Sequence, residues 1–124
     1  MRKLFFIAII FIVAVKFSSC EYENYEPATG PNPNDIISFS NYIMPLMISK
    51  CAVSGCHEGT SAPNLTAGKA YTNLVDGAFV DTLNAEQSIL YLRINGGGMP
   101  PANPLPASDI SKVLLWIKQG AQNN

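Results

Sequence analysis

The sequence predicts a small all-α protein of about four to five short helices. Two observations support this class. Apolar residues from Ile36 onward, and again near the C-terminus, recur at steps of three and four, the spacing of one helix face. Clusters of glycine and proline separate the periodic segments and predict loops between short helices.

The first 19 residues predict a secretory signal peptide of the lipoprotein type. Arg2 and Lys3 precede twelve consecutive apolar residues at positions 4–15. A membrane-spanning helix needs about 20 such residues, so this run is too short to cross a bilayer. Its basic start and short apolar stretch are typical of an export signal.

Cys20 is predicted to carry a lipid. Ser18 and Ser19 directly before it resemble a lipobox, although Phe17 stands where leucine is more typical. Ordinary signal cleavage, leaving a free or paired Cys20, is the alternative. Cysteine arithmetic favours the lipid, because one of the three cysteines is left over if Cys51 and Cys56 share a task. The anchor would tether an exported protein to a bacterial membrane, as a periplasmic or cell-surface protein.

Residues 20–35 predict a flexible, acidic and proline-rich tether, and residues 36–122 a single domain. The tether has few groups to bury, so folding would not offset its ordering entropy. Removal of residues 1–19 leaves five basic and nine acidic residues, a net charge of −4. This balance argues against nucleic acid as a partner, since nucleic acid rewards basic patches.

The first helix is predicted to lead into the cysteine loop. Ile36, Phe39, Ile43, Leu46 and Met47 form its apolar face, and Pro45 predicts either a late helix start or a kink. We assign Met44 and Met47 to the core.

Cys51, Cys56 and His57 predict covalent attachment of haem c. Two thiols can bind a tetrapyrrole through two thioethers, and the imidazole that follows can ligate its iron. Four residues separate the cysteines, whereas the usual spacing is two. Gly55 can adopt a positive φ and helps the longer loop to close.

Two other interpretations of these residues stay open. Cys51 and Cys56 can form a disulfide in an exported protein, with His57 a surface residue. Zinc is disfavoured, because structural sites use four cysteine or histidine ligands and this chain offers three after export.

Two helices are predicted between the cysteine loop and the next glycine run. Thr66 is the expected N-cap of the first, which buries Tyr71, Leu74 and Val75 and ends at Asp76-Gly77. Asn84 and Gln87 resemble a capping box at the start of the second. Its apolar side is expected to contain Ile89, Leu90, Leu92 and Ile94.

Met99 is predicted to be the second iron ligand. It follows three glycines, which allow close backbone approach, and precedes Pro100 and Pro101, which stiffen the chain. A thioether opposite an imidazole is a pair that holds iron and raises its potential. The alternative is a gap-filling core methionine.

The last helix is expected to start at Ser108-Asp109, to pack across the first helix and to wall the haem. Its apolar face contains Ile110, Val113, Leu114 and Ile117, with Trp116 beside them, and Gly120 is the expected C′ residue. Arg93, Tyr71 and Trp116 are possible hydrogen-bond donors to the haem propionates, but ordinary surface or core roles are the simpler interpretation for each.

Residues from about Phe39 to Ala121 resemble a class I cytochrome c domain, in particular single-haem lipoprotein cytochromes with a C-x4-C-H site. The segments that carry the resemblance are "IMPLMISKCAVSGCH", "SILYLRINGGGMPP" and "ISKVLLWIKQGA". The resemblance implies thioethers at Cys51 and Cys56, His57 as proximal ligand and Met99 as distal ligand. It also implies crossing N- and C-terminal helices around one covalent haem.

The leading functional prediction is electron transfer to and from redox partners of a respiratory or periplasmic chain, without enzymatic activity. With His57 and Met99 both on the iron, no position remains for substrate chemistry. Two alternatives stay open: a haem-based ligand-binding or sensor module, and a haem-free lipoprotein with a Cys51–Cys56 disulfide.

Overall fold

A computed structural model of the chain describes residues 30–124, and these residues form an all-α structure with no strand among them. The predicted fold class is therefore confirmed at the level of secondary structure. The predicted signal peptide, Cys20 and most of the predicted tether lie outside the described residues. Among residues 30–124, no helix has the length and apolar character needed to cross a membrane.

Four helices and one short 3-10 turn follow in chain order. Helix α1 starts as a π-helical turn, Phe39–Ile43, and continues without a break as an α-helix, Met44–Lys50. Helix α2 is Ala70–Val75, the 3-10 turn is Ala85–Gln87, helix α3 is Ile89–Asn95 and helix α4 is Ala107–Lys118.

Helix α1 solves the problem of Pro45 in the way the sequence predicts. Pro45 is the second residue of the α-helical part, where its missing N–H costs no helical hydrogen bond. The preceding π turn is capped by Ser38, whose Oγ accepts a hydrogen bond from the N–H of Asn41 at 3.1 Å. The helix ends at Lys50, directly before Cys51.

Helices α1 and α4 are in contact, as the sequence predicts. The ring of Phe39 packs against that of Trp116 with centroids 5.6 Å apart, and Trp116 is fully buried. Tyr42 donates a hydrogen bond of 2.6 Å from its hydroxyl to Oδ1 of Asp109. The other side chains fully buried in the core are Ile43, Met47, Val113 and Ile117.

The predicted N-cap of α2 is wrong. The hydroxyl of Thr66 donates to Oδ1 of Asn64 at 2.6 Å, and a turn precedes the helix, which begins only at Ala70. Two glycine-independent details of the prediction hold: Leu74 is buried and the helix ends at Val75, before Asp76-Gly77.

The predicted capping box at Asn84 is also wrong. The side chain of Asn84 donates to Oδ2 of Asp81 at 3.3 Å instead of capping, and the following turn is a 3-10 helix. Asp81 accepts the N–H groups of Leu83 and Asn84 and takes over the role of local acceptor. Helix α3 begins five residues after Asn84, and it buries Leu90 and Ile94, while Ile89 and Leu92 are exposed.

Helix α4 starts one residue before the predicted Ser108, with Pro106 at its N-cap, and Gly120 follows its C-cap at φ +89°. Gly120 therefore takes the left-handed C′ position predicted for it. The chain then returns to the start of α1, where Asn124 accepts the N–H of Ser40 with its backbone oxygen and that of Phe39 with its side chain.

Candidate functional site

The cysteine loop closes on itself through backbone hydrogen bonds. The N–H of His57 donates to the carbonyl of Cys51 at 3.1 Å, and the N–H of Cys56 donates to that of Val53 at 2.9 Å. Gly55 has φ +79°, a left-handed conformation that a residue with a Cβ adopts only at a cost. The two extra residues between the cysteines are thus accommodated in a hydrogen-bonded turn.

Cys51 and Cys56 are both free thiols in this structure, with no disulfide between them. Burial, and then the neighbouring Cys56, raise the pKa of the Cys51 thiol to about 11. Cys51 is buried and Cys56 half-buried, so the two sulfurs sit at different depths. At neutral pH Cys51 is a neutral thiol.

The imidazole of His57 is held in one orientation by the chain itself. Its Nδ1 lies 3.1 Å from the carbonyl oxygen of Pro63. A carbonyl only accepts, so Nδ1 carries the proton and Nε2 keeps a free lone pair, the state required of an imidazole ligand. The N–H of Leu65 also donates to the His57 carbonyl at 2.8 Å, which fixes the backbone at the same residue.

Met99 is positioned by the C-terminal end of α3. The N–H groups of Gly98 and Met99 both donate to the carbonyl of Arg93 at 3.1 Å, and Gly97 makes the turn at φ +69°. Beyond Met99, residues 100–105 form no hydrogen bond with any described residue, and Leu105 is their one buried side chain. The thioether of Met99 is 39 % exposed.

Two clefts of about 390 and 320 Å³ are both lined by Cys51, His57 and Met99. The first also contains Cys56 and extends along residues 99–103, and the second is walled by apolar side chains. These walls are Leu65, Leu74, Phe79, Ile89, Leu90 and Ile94. Each cleft falls within the size range of small-molecule and cofactor sites. The structure therefore brings the four predicted site residues to the same pair of clefts.

The charges along these clefts are all positive. Lys50 is the one charged residue that lines the first cleft, and Arg93 the one that lines the second, among the residues described. Residues 30–124 contain six acidic residues, none of which lines either cleft. Apolar walls edged by two cations suit an apolar ligand that carries anionic groups, and the porphyrin of haem with its two carboxylates has this chemistry.

Two of the suggested propionate donors have other partners. The hydroxyl of Tyr71 donates to the carbonyl of Ala121 at 3.0 Å, and Nε1 of Trp116 donates to that of Gln122 at 3.0 Å. Neither residue lines the two clefts. Of the three, Arg93 alone lies at the site, and Lys50 joins it although its position before Cys51 did not single it out.

Zinc finds no closed site here. Within residues 30–124, no three histidine, cysteine or acidic side chains come together in a way that would hold a metal ion. A structural zinc site of the usual four ligands is therefore not assembled from the described residues.

Comparison of the sequence with protein-family models, with curated proteins and with solved structures gave no significant match.

Proposed function

We propose that the protein is an electron carrier with one covalently bound c-type haem. The observation that carries the proposal is that Cys51, His57 and Met99, which are far apart in sequence, line the same two clefts. A chance arrangement would not be expected to bring a thiol, an oriented imidazole and a thioether to one apolar site.

In this proposal Cys51 and Cys56 hold the haem through two thioethers, while His57 and Met99 are its axial ligands. The bound haem supplies an Fe(III)/Fe(II) couple that takes up and releases single electrons. Both axial positions are occupied by the protein, so we propose no enzymatic activity. The partners are then redox proteins of a respiratory or periplasmic chain, reached by an exported, lipid-anchored protein.

The chain's own residues support this role in three ways. The Pro63 carbonyl keeps Nε2 of His57 available, and such an outer hydrogen bond also strengthens imidazole as a donor. Apolar side chains from α2 and α3 exclude water from one side of the site. The cations Lys50 and Arg93 offer charge partners to carboxylates.

The decisive experiment is to express the full chain together with a cytochrome c maturation system and to record spectra of the oxidised and reduced protein. We expect a covalent haem that survives acid–acetone extraction and increases the mass of the exported chain by that of one haem. A colourless protein whose mass shows two thiols or one disulfide would refute the proposal and favour a haem-free lipoprotein.

Ligand binding is a second candidate, favoured by the segment that follows Met99. Residues 100–105 form no hydrogen bond among the residues described, and four of them also line the first cleft. Movement of this segment would withdraw Met99 and open the distal position to a small neutral ligand. Carbon monoxide added to the reduced protein tests this: an unchanged spectrum means that Met99 stays bound.

A further inference from the structure

The two most exposed large apolar side chains of residues 30–124 are Leu83, 91 % exposed, and Ile36, 81 % exposed. Five further large apolar residues are exposed to lesser degrees. Three of those, Val53, Ile89 and Met99, line the candidate cofactor clefts, where a ligand would cover them. Leu83 and Ile36 line neither cleft, so a cofactor leaves them in contact with solvent.

Both residues belong to segments that are fastened to the C-terminal end of α4. On one side, Gln119 donates from Nε2 to the carbonyl of Asp35 at 2.6 Å and accepts the N–H of Ile37 with Oε1 at 3.0 Å. Ile36 lies between these two bonded residues.

On the other side, Lys118 forms an ion pair of 2.6 Å with Glu86 of the 3-10 turn. Two hydrogen bonds to Oδ1 of Asp81 hold the backbone at Leu83 and Asn84, just before that turn. Ile36 and Leu83 thus flank one end of the molecule and are presented by an anchored backbone.

This end is also where the predicted tether enters the domain. Fifteen residues separate Cys20 from Ile36. A flexible chain of that length has a root-mean-square end-to-end distance of about 20 Å. A lipid on Cys20 would hold the domain near the bilayer at a local concentration of order millimolar, where contacts too weak to bind a free protein become effective.

We propose that Ile36 and Leu83 form a membrane-contact surface that rests on the bilayer and orients the tethered domain. The charges around the surface define the lipid it fits. Asp35, Asp81 and Glu86 surround it, and its one cation, Lys118, is paired with Glu86. The surface therefore contacts lipid by apolar insertion and does not need anionic headgroups. The proposal rests on the predicted lipid anchor and not on the haem.

The test uses the full lipidated chain in phosphatidylcholine vesicles that contain a lipid with a photoactivatable carbene precursor in its acyl chain. After irradiation, mass spectrometry locates the residues that were labelled. We expect labelling at Ile36 and Leu83 to exceed that at Leu92, an exposed leucine on α3, by at least fivefold. Addition of anionic phosphatidylglycerol should leave this ratio unchanged.

A pair of variants supplies the matched control. Ile36→Ser with Leu83→Ser should lower labelling of residues 84–88 at least threefold, whereas Leu92→Ser should not change it. Equal labelling of all exposed apolar residues, absence of labelling, or failure of the chain to float with vesicles would each overturn the proposal. A colourless protein that still labels at Ile36 and Leu83 would refute the proposed haem function and leave the membrane-contact surface standing.

Discussion

The cysteine loop, residues 51–65, and the methionine loop, residues 96–105, face the same clefts but are held in different ways. The cysteine loop is fastened along its length: His57 bonds back to Cys51, Leu65 to His57, and the N–H of Gly55 to Oε1 of Glu58 at 2.9 Å. The methionine loop is bonded only at its start, through the Arg93 and Ile94 carbonyls. One ligand is therefore oriented by the fold before any cofactor binds, and the other depends on a short turn and on Leu105.

This difference suggests a division of labour. A site that must always keep its cofactor benefits from one rigid ligand, because the ordering cost is then met during folding. The second ligand can be less constrained and can govern the properties of the bound group. The following tests, from the largest expected effect to the smallest, examine whether the two loops differ in this way.

The largest effect is expected for His57→Ala. This variant removes the oriented imidazole, so the low-spin, six-coordinate spectrum of the reduced protein should be lost completely. The absorption spectrum of the matured full chain measures it. Lys69→Ala, an exposed change outside both clefts, serves as control and should leave the spectrum intact. An unchanged spectrum in His57→Ala would exclude His57 as an iron ligand.

Met99→Ala should have a smaller effect, confined to the iron. The cysteine loop is untouched, so covalent haem should be retained, while the reduction potential should fall by a substantial part of the roughly 0.8 V range that axial ligands span. Reduced protein should also gain carbon monoxide binding. Redox titration and a carbon monoxide difference spectrum measure these changes. A potential equal to that of the wild type would show that Met99 is not a ligand.

The sequence predicted the chemistry of the site better than its construction. The helix face of Phe39, Ile43 and Met47, the position of Pro45 and the C′ role of Gly120 follow from local rules, since periodicity, ring geometry and positive φ act within a few residues. The predicted site residues Cys51, His57 and Met99 indeed line common clefts.

What could not be predicted depends on contacts between segments or on competing acceptors. Pro63 orients His57 through a backbone carbonyl, a group that every residue possesses and that no side-chain pattern reveals. The predicted caps at Thr66 and Asn84 failed because the side chains of Asn64 and Asp81 are closer partners. Short polar side chains can bond to several neighbouring groups, and only the folded chain selects among them.

Hydrogen exchange compares the two loops directly in the haem-free chain. The amides of His57 and Leu65 are bonded and should exchange at least tenfold more slowly than those of Ala102 and Asn103, which have no acceptor among the residues described. Exchange detected by NMR resolves these positions. Equal rates in the two loops would contradict the division of labour, whatever cofactor the site binds.

The smallest effect is expected at the contact between α1 and α4, which supports both loops. Tyr42→Phe removes the 2.6 Å hydrogen bond to Asp109 and should lower the free energy of unfolding by about 1 kcal/mol. Because α1 leads into the cysteine loop and α4 follows the methionine loop, globally controlled exchange in both should accelerate by the same factor, about fivefold. An acceleration restricted to one loop would show that the two are not supported in common.

The pH dependence of this contact separates the hydrogen bond from packing. Burial, and then the hydrogen bond to Asp109 and its charge, raise the pKa of Tyr42 from 10.0 to about 12. The folded state therefore favours the protonated phenol. Its contribution is complete below pH 10 and is lost as the pH rises through about 12. Denaturant unfolding of wild type and Tyr42→Phe should thus give a stability difference that is constant from pH 7 to 9 and shrinks above pH 10. A difference that persists undiminished to pH 12 would mean that the variant acts through packing rather than through the phenolic proton.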